Sequence, residues 1–164
     1  MARAIALRSL AAAPRTRAQL ADTLAAKDTP EEVATELLDR LESAGLVDDA
    51  EYAGMLVRTR YAERHQGKRA IAHELRRKGV DDETAGAALA QLDDEDEYAA
   101  ALEVARKKLR STSSLAHDVR YRRTIAALAR KGFGGEVSRR ALSAALAEEG
   151  EDDELGLGSD EFGL

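Results

Sequence analysis

The 164-residue chain contains no cysteine and no tryptophan, and it has only two prolines and two phenylalanines. Without cysteine the chain forms neither a disulfide nor a thiolate metal site, and cysteine-based catalysis is excluded. No run of 18 apolar residues could cross a bilayer, and no apolar signal core follows Met1. These absences predict a protein of the reducing cytoplasm that does not enter a membrane.

Valine and isoleucine are scarce as well. Together they number 10, against 33 alanines and 21 leucines, and this balance favours helix over sheet. Apolar residues recur at helical spacing, for example at Val33, Leu37, Leu38 and Leu41, whereas strand-type alternation is not sustained. The sequence therefore predicts an all-α fold.

Residue patterns that carry catalysis or bind a cofactor are missing too. The three histidines, His65, His73 and His117, are scattered without metal-ligand spacing, so we expect them to be exposed to solvent. No phosphate-cradling glycine loop follows a strand, and the glycine-rich segment around Phe133 is interpreted as a tight turn with that ring in the core. The sequence predicts no enzyme activity, no metal and no cofactor.

A unit of about 50 residues occurs three times along the chain. Residues 24–29 align with residues 75–80 and with residues 128–133, at spacings of 51 and 53. Two further positions correspond downstream in all three units. One is an acid predicted in the first turn of a helix, at Glu32, Glu83 and Glu136, and the other is a leucine predicted in the core, at Leu38, Leu89 and Leu142.

The repeat divides the chain into helical triplets. We predict three tandem three-helix repeats over residues 1–47, 48–92 and 93–149, followed by an acidic, disordered tail over residues 150–164. The alternative for this tail is that it shields the basic segments of the same chain. Units this small depend on stacking against their neighbours, and stacked units form an elongated, curved array, although the pattern also fits a compact bundle of nine helices.

Charge is distributed very unevenly along the chain. The formal net charge is −6, but residues 148–164 hold eight acids and no lysine or arginine. Basic residues exceed acids by six in residues 58–78 and by eight in residues 106–131, whereas residues 79–105 between them contain acids and neither lysine nor arginine. Basic segments of this kind bind along a phosphate backbone or bind an acidic protein surface.

These two segments supply a predicted partner-binding face, which we call the basic face. It consists of Arg58, Arg64, Lys68, Arg69, Arg76, Arg77, Lys78, Arg106, Lys107, Arg120, Arg122, Arg123, Arg130 and Lys131. With four tyrosines, two phenylalanines and no tryptophan, the chain is poorly supplied for stacking on bases, and no helix offers a recognisable set for base readout. A protein that already coats DNA fits such a face better than naked DNA does.

Four segments carry a resemblance to the RecX family of bacterial recombination regulators. They are residues 48–53 (Asp-Asp-Ala-Glu-Tyr-Ala), 67–71 (Gly-Lys-Arg-Ala-Ile), 75–80 (Leu-Arg-Arg-Lys-Gly-Val) and 128–133 (Leu-Ala-Arg-Lys-Gly-Phe), and the resemblance extends over residues 3–148. It implies a curved array of three-helix repeats that binds the RecA recombinase filament. We expect the protein to be a monomer, and the single-stranded DNA inside the filament is a further candidate partner. It also implies a negative regulator that limits filament growth, ATP hydrolysis and strand exchange.

The first repeat departs from this family pattern. It ends its middle helix with Asp28 where the family often has glycine, and Pro30 follows. Because aspartate tolerates turn conformations and proline suits a helix start, we expect the fold to be unchanged.

Two other classes of function are compatible with parts of the sequence. Residues 16–21 and 33–47 mimic the helix-turn-helix of a winged-helix transcription regulator, which would need two β-strands next. Residues 48–65 read instead as one helix that begins at an acidic cap. The other alternative is a helical scaffold that binds an unrelated protein through its apolar surface.

Overall fold

The structure, a computed structural model, describes the backbone of residues 1–157 and the side chains of residues 1–150. Residues 150–157, the first part of the predicted acidic tail, belong to the last helix. The rest of that predicted tail, residues 158–164, lies outside the described residues.

The described residues form nine α-helices and no β-strand, which confirms the all-α prediction. The helices are α1 (Ala2–Ala12), α2 (Arg17–Ala25), α3 (Glu31–Ser43), α4 (Asp49–Arg64), α5 (Lys68–Arg77), α6 (Asp82–Leu89), α7 (Asp94–Ser111), α8 (His117–Arg130) and α9 (Gly135–Leu157). Within this part of the chain, no helix is both long and apolar enough to traverse a bilayer. The segment that a winged helix would need for its strands is helix α4, so the winged-helix alternative is wrong.

The middle helix of each repeat ends in the same way. Leu24, Leu75 and Leu128 are fully buried. The carbonyl of each accepts the amide five residues later, at 3.1, 3.1 and 3.2 Å respectively. The residue before that amide is left-handed in all three repeats, with φ of 54° at Asp28, 79° at Gly79 and 87° at Gly132. This arrangement satisfies a helix-terminal carbonyl, and it confirms that Asp28 adopts the turn that glycine makes elsewhere.

The helices assemble into two compact units, each with its own core. Unit 1 comprises residues 1–59 and 71–91, and unit 2 comprises residues 60–70 and 92–164. In unit 1, α1, α2 and α3 pack on one another around Leu20, Leu24 and Leu38. In unit 2, α7, α8 and α9 pack on one another around Leu109, Leu128 and Leu142, and Phe133 is 3% exposed in the same core, as predicted. Helices α4 and α5 contribute to both units.

Thr16 links the two chain segments that make up unit 1. It is fully buried, and its hydroxyl accepts a hydrogen bond from the Gln19 amide while the Gln19 side chain accepts from the Thr16 amide. The same hydroxyl donates to the Lys78 carbonyl at 2.6 Å. One side chain therefore caps α2 and satisfies a carbonyl just beyond the end of α5.

Candidate polyanion-binding surface

The fourteen residues of the basic face divide between the two units. Arg58, Arg76, Arg77 and Lys78 belong to unit 1, and the other ten belong to unit 2. In unit 2, the structure brings part of the first basic segment against part of the second. The two parts are separated by more than 60 residues in the sequence, and specific backbone and side-chain contacts join them.

The α4–α5 turn and the α8–α9 turn touch at backbone level. The Gly67 amide donates to the Lys131 carbonyl at 2.8 Å, and the Arg69 amide donates to the Gly132 carbonyl at 3.2 Å. A Cβ placed on Gly67 would lie 2.5 Å from the Gly132 carbonyl oxygen, and one on Gly132 would lie 2.4 Å from the Ala70 nitrogen. Only glycine fits at both positions, and the contact places Arg69 beside the end of α8.

Polar side chains hold the same region in place. The Lys131 ammonium donates to the Arg64 carbonyl at 2.8 Å. At the start of α5, the Lys68 amide donates to Glu97 at 3.1 Å, and the Lys68 ammonium lies 3.4 Å from Asp94. The acidic first turn of α7 therefore anchors the first basic residues of α5. Its carboxylates also interact favourably with the positive N-terminal end of the α7 helix dipole.

A groove of about 590 Å³ opens between α7, α8 and the end of α4, and we call it the α7–α8 groove. Its charged lining consists of His65, Glu103, Lys107, Lys108, Arg110, Arg130 and Lys131. Five lysines and arginines thus face one carboxylate across a concave surface. This is the arrangement that attracts phosphate or carboxylate groups of a partner, because neighbouring cations raise the local potential together.

Three basic residues of this groove are absent from the predicted basic face. Lys108 and Arg110 lie in the second basic segment of the sequence. Lys108 is one helical turn before Ser111, and Arg110 is one helical turn after Lys107, so this spacing could have placed both on the groove side of α7. His65 carries no such signal, since it enters the groove from the position just after α4, with a left-handed φ of 47°. All three histidines of the chain are exposed, as predicted.

Two arginines of the basic face are held by ion pairs with the acidic end of α9. Arg106 donates to both carboxylate oxygens of Glu148, at 2.8 and 2.7 Å, and also to Glu103. This bidentate hydrogen bond lowers the pKa of Glu148 and raises the pKa of Arg106. Arg120 donates to both oxygens of Glu149, at 3.0 and 2.8 Å, and its side chain is only 15% exposed.

The remaining predicted cations are more available. Arg76 and Arg122 lie 3.3 and 3.8 Å from Asp82 and Asp118, in pairs exposed to solvent that contribute little. Among the described residues, nine members of the basic face have no carboxylate within ion-pair distance: Arg58, Arg64, Arg69, Arg77, Lys78, Lys107, Arg123, Arg130 and Lys131. Most of these carry an uncompensated charge on the surface of unit 2.

Arg58 lies in a different setting in unit 1. It lines a groove of about 720 Å³ together with Arg15 and with apolar residues that include Leu46 and Met55. Leu46 is 53% exposed. Asp48 and Glu51 line this groove as well, so its two arginines face two carboxylates.

Comparison with known proteins places all three repeats in one family. The family models described as the first, second and third three-helix domains of RecX match residues 2–41, 48–89 and 94–142. A "Regulatory protein RecX" of Streptomyces lividans is 45% identical over 161 residues, which cover 98% of this chain and 85% of the relative.

A second relative and a solved structure give the same result. The "Regulatory protein RecX" of Thermobifida fusca (strain YX) is 43% identical over 149 residues, which cover 91% of this chain and 80% of the relative. The crystal structure of RecX from Lactobacillus salivarius superposes with a TM-score of 0.82 at 26% identity, covering 88% of this chain and 94% of that one.

Proposed function

Because this chain belongs to the RecX family of regulatory proteins, we propose that it is a noncatalytic negative regulator of the RecA recombinase. In this proposal a monomer acts in the cytoplasm, binds in the groove of the RecA–DNA filament and limits filament growth, ATP hydrolysis and strand exchange. DNA repair and recombination are modulated as a result.

The observation that carries the proposal is the α7–α8 groove. Its five cations line one concave surface, and neither Lys107 nor Arg130 is neutralised by a carboxylate of the described chain. A filament offers acidic side chains and the phosphates of its single-stranded DNA at regular spacing, and either chemistry complements the groove. We infer that Lys107, Arg130 and Arg69 are the principal contacts.

The second repeat carries cations of its own. Arg76 and Arg77 end α5 and are exposed, while Lys78 follows them and is partly buried. Cations spaced over the repeats at residues 48–92 and 93–149 allow several subunits of a filament to be engaged at once. Such multivalent binding strengthens attachment to an assembly more than to one isolated subunit.

The experiment that tests the proposal measures ATP hydrolysis by RecA on single-stranded DNA while this protein is titrated. We expect inhibition by the wild type, and inhibition by the Lys107→Gln/Arg130→Gln variant only at about tenfold higher concentration. Two lost charge contacts of up to about 1 kcal/mol each are consistent with that factor.

The matched control is Arg3→Gln/Arg8→Gln, which removes the same charge from two exposed residues of α1. It should inhibit like the wild type. Unchanged ATP turnover and filament length at saturating wild-type protein would refute the proposed function. Equal inhibition by all three proteins would refute the assignment to the α7–α8 groove.

A further inference from the structure

The acidic end of α9 is attached to both helices of the α7–α8 groove. Glu148 accepts from two nitrogens of Arg106 of α7, one at each carboxylate oxygen, and Glu149 accepts at both oxygens from a single nitrogen, Nη2, of Arg120 of α8. Arg120 also donates to the Leu109 carbonyl at 3.0 Å. Two guanidinium groups of the predicted basic face are therefore occupied by carboxylates of the same chain.

Arg106 is located at the edge of the groove. It binds Glu103, which lines the groove, and it is followed directly by the lining residues Lys107 and Lys108. Its side chain is 35% exposed, and that of Glu148 is 43% exposed. A polyanion in the groove would thus approach a cation whose charge is already cancelled by α9.

The sequence after this contact continues to be acidic. Glu151, Asp152, Asp153 and Glu154 follow within one stretch that contains no lysine or arginine, and the backbone of α9 continues to Leu157. The carboxylates that contact Arg106 and Arg120 therefore begin a longer anionic segment. The negative charge of this segment allows it to compete with a polyanionic partner for the same cations.

We propose that the acidic end of α9 is an intramolecular competitor for the α7–α8 groove. It withholds Arg106 and Arg120 from a polyanionic partner until Glu148 and Glu149 are displaced. This inference rests on the proposed function, because it concerns the regulation of the same surface.

The salt dependence of binding distinguishes a withheld cation from an available one. An arginine that is free of carboxylates releases counterions from the nucleic acid when it binds a phosphate. For single-stranded DNA, each such contact adds about 0.7 to the steepness with which the logarithm of the binding constant falls against the logarithm of the salt concentration. An arginine neutralised by glutamate exchanges one anion for another and contributes almost nothing. Freeing two arginines should steepen the slope by about 1.4.

The experiment measures binding of the full chain to a fluorescein-labelled oligothymidylate by anisotropy at several salt concentrations. We expect Glu148→Gln/Glu149→Gln to bind at least about fivefold tighter than wild type at low salt, with the steeper slope, and to converge with wild type at high salt. Glu148→Gln alone leaves the less exposed Arg120–Glu149 pair intact and should give about half the steepening.

Two further variants serve as controls for charge and for coupling. Glu31→Gln/Glu32→Gln removes the same charge from exposed residues of α3 and should retain the wild-type slope. Arg106→Gln/Arg120→Gln should abolish the gain of the Glu148→Gln/Glu149→Gln variant, a coupling that a double-mutant cycle measures.

The result that overturns the inference is an unchanged slope and affinity in both glutamine variants, or a gain that survives loss of the two arginines. Absence of binding by wild type and variants alike would also overturn it. The RecA hydrolysis assay judges the proposed function separately. Inhibition by wild type with no effect of Glu148→Gln/Glu149→Gln would leave that function standing and remove only the competitor.

Discussion

Replacing Gly67 by alanine tests the contact that brings the two basic segments together. Gly67 lies outside the left-handed region, so alanine meets no backbone strain there, and the main obstacle is the Gly132 carbonyl oxygen at 2.5 Å from the new Cβ. Cβ contacts below 3.0 Å essentially never occur, so the two turns must separate by at least about 0.5 Å. Both sides of the contact are backbone, which cannot rotate away.

The cost follows from the two hydrogen bonds that join these turns. Separation lengthens the bonds from the Gly67 amide to Lys131 and from the Arg69 amide to Gly132, which measure 2.8 and 3.2 Å in the wild type. At about 1 kcal/mol for each weakened bond, Gly67→Ala should lower the free energy of unfolding by about 2 kcal/mol. Under the proposed function it should also weaken inhibition of RecA, because Arg69 moves relative to the groove.

The assay is urea unfolding followed by circular dichroism, with Gly86→Ala as the matched control. Gly86 lies inside α6, and the place that a Cβ would take there is open space, so the same substitution should raise stability by about 0.5–1 kcal/mol. Opposite signs for the two variants are the expected result. Unfolding of Gly67→Ala at the wild-type urea concentration would refute the close approach of the turns.

Two other outcomes are expected from the described contacts. Thr16→Val should cost about 2 kcal/mol of unfolding free energy in the same assay, because the Gln19 amide and the Lys78 carbonyl both lose their buried partner, whereas Thr16→Ser should remain within about 1 kcal/mol of wild type. An NMR titration of Glu148 should give a pKa below its ordinary value of 4.5, and Arg106→Gln should raise it. Since this carboxylate has a lowered pKa in the folded state, its contribution to the free energy of unfolding is complete above pH 4.5 and is lost as the pH falls further. A Glu148 pKa unaffected by Arg106→Gln would contradict the ion pair.

Local chemistry makes the repeats predictable. Leu75 and Leu128 belong to nearly identical segments that end in Gly79 and Gly132, so both the burial of the leucines and the left-handed turns can be inferred from the sequence. Asp28 is recognisable in the same way, because it occupies the glycine position of the first repeat. These features depend on residues within one helical turn of one another.

The availability of each cation is not predictable in the same way. Arg106 and Lys107 are neighbours of equal charge, yet Arg106 binds Glu148, which is 42 residues away, while Lys107 lines the groove without a carboxylate partner in the described chain. Such differences depend on which side of α7 faces α9, and therefore on packing between distant segments. A charge count along the sequence identifies the basic segments but cannot separate bound guanidinium groups from available ones.

The charges of α7 have a consequence for how the protein meets a partner. Its 18 residues extend over about 27 Å, with four acids in the first turn and Lys108 and Arg110 in the last. Opposite charges at the two ends of a rigid rod form an electric dipole, which experiences a torque in the field of a polyanion. In the field of a polyanionic partner, this torque would favour approach of the protein with the basic end of α7 forward. This steering acts over about 8 Å at physiological ionic strength, so added salt should slow association through the loss of orientation.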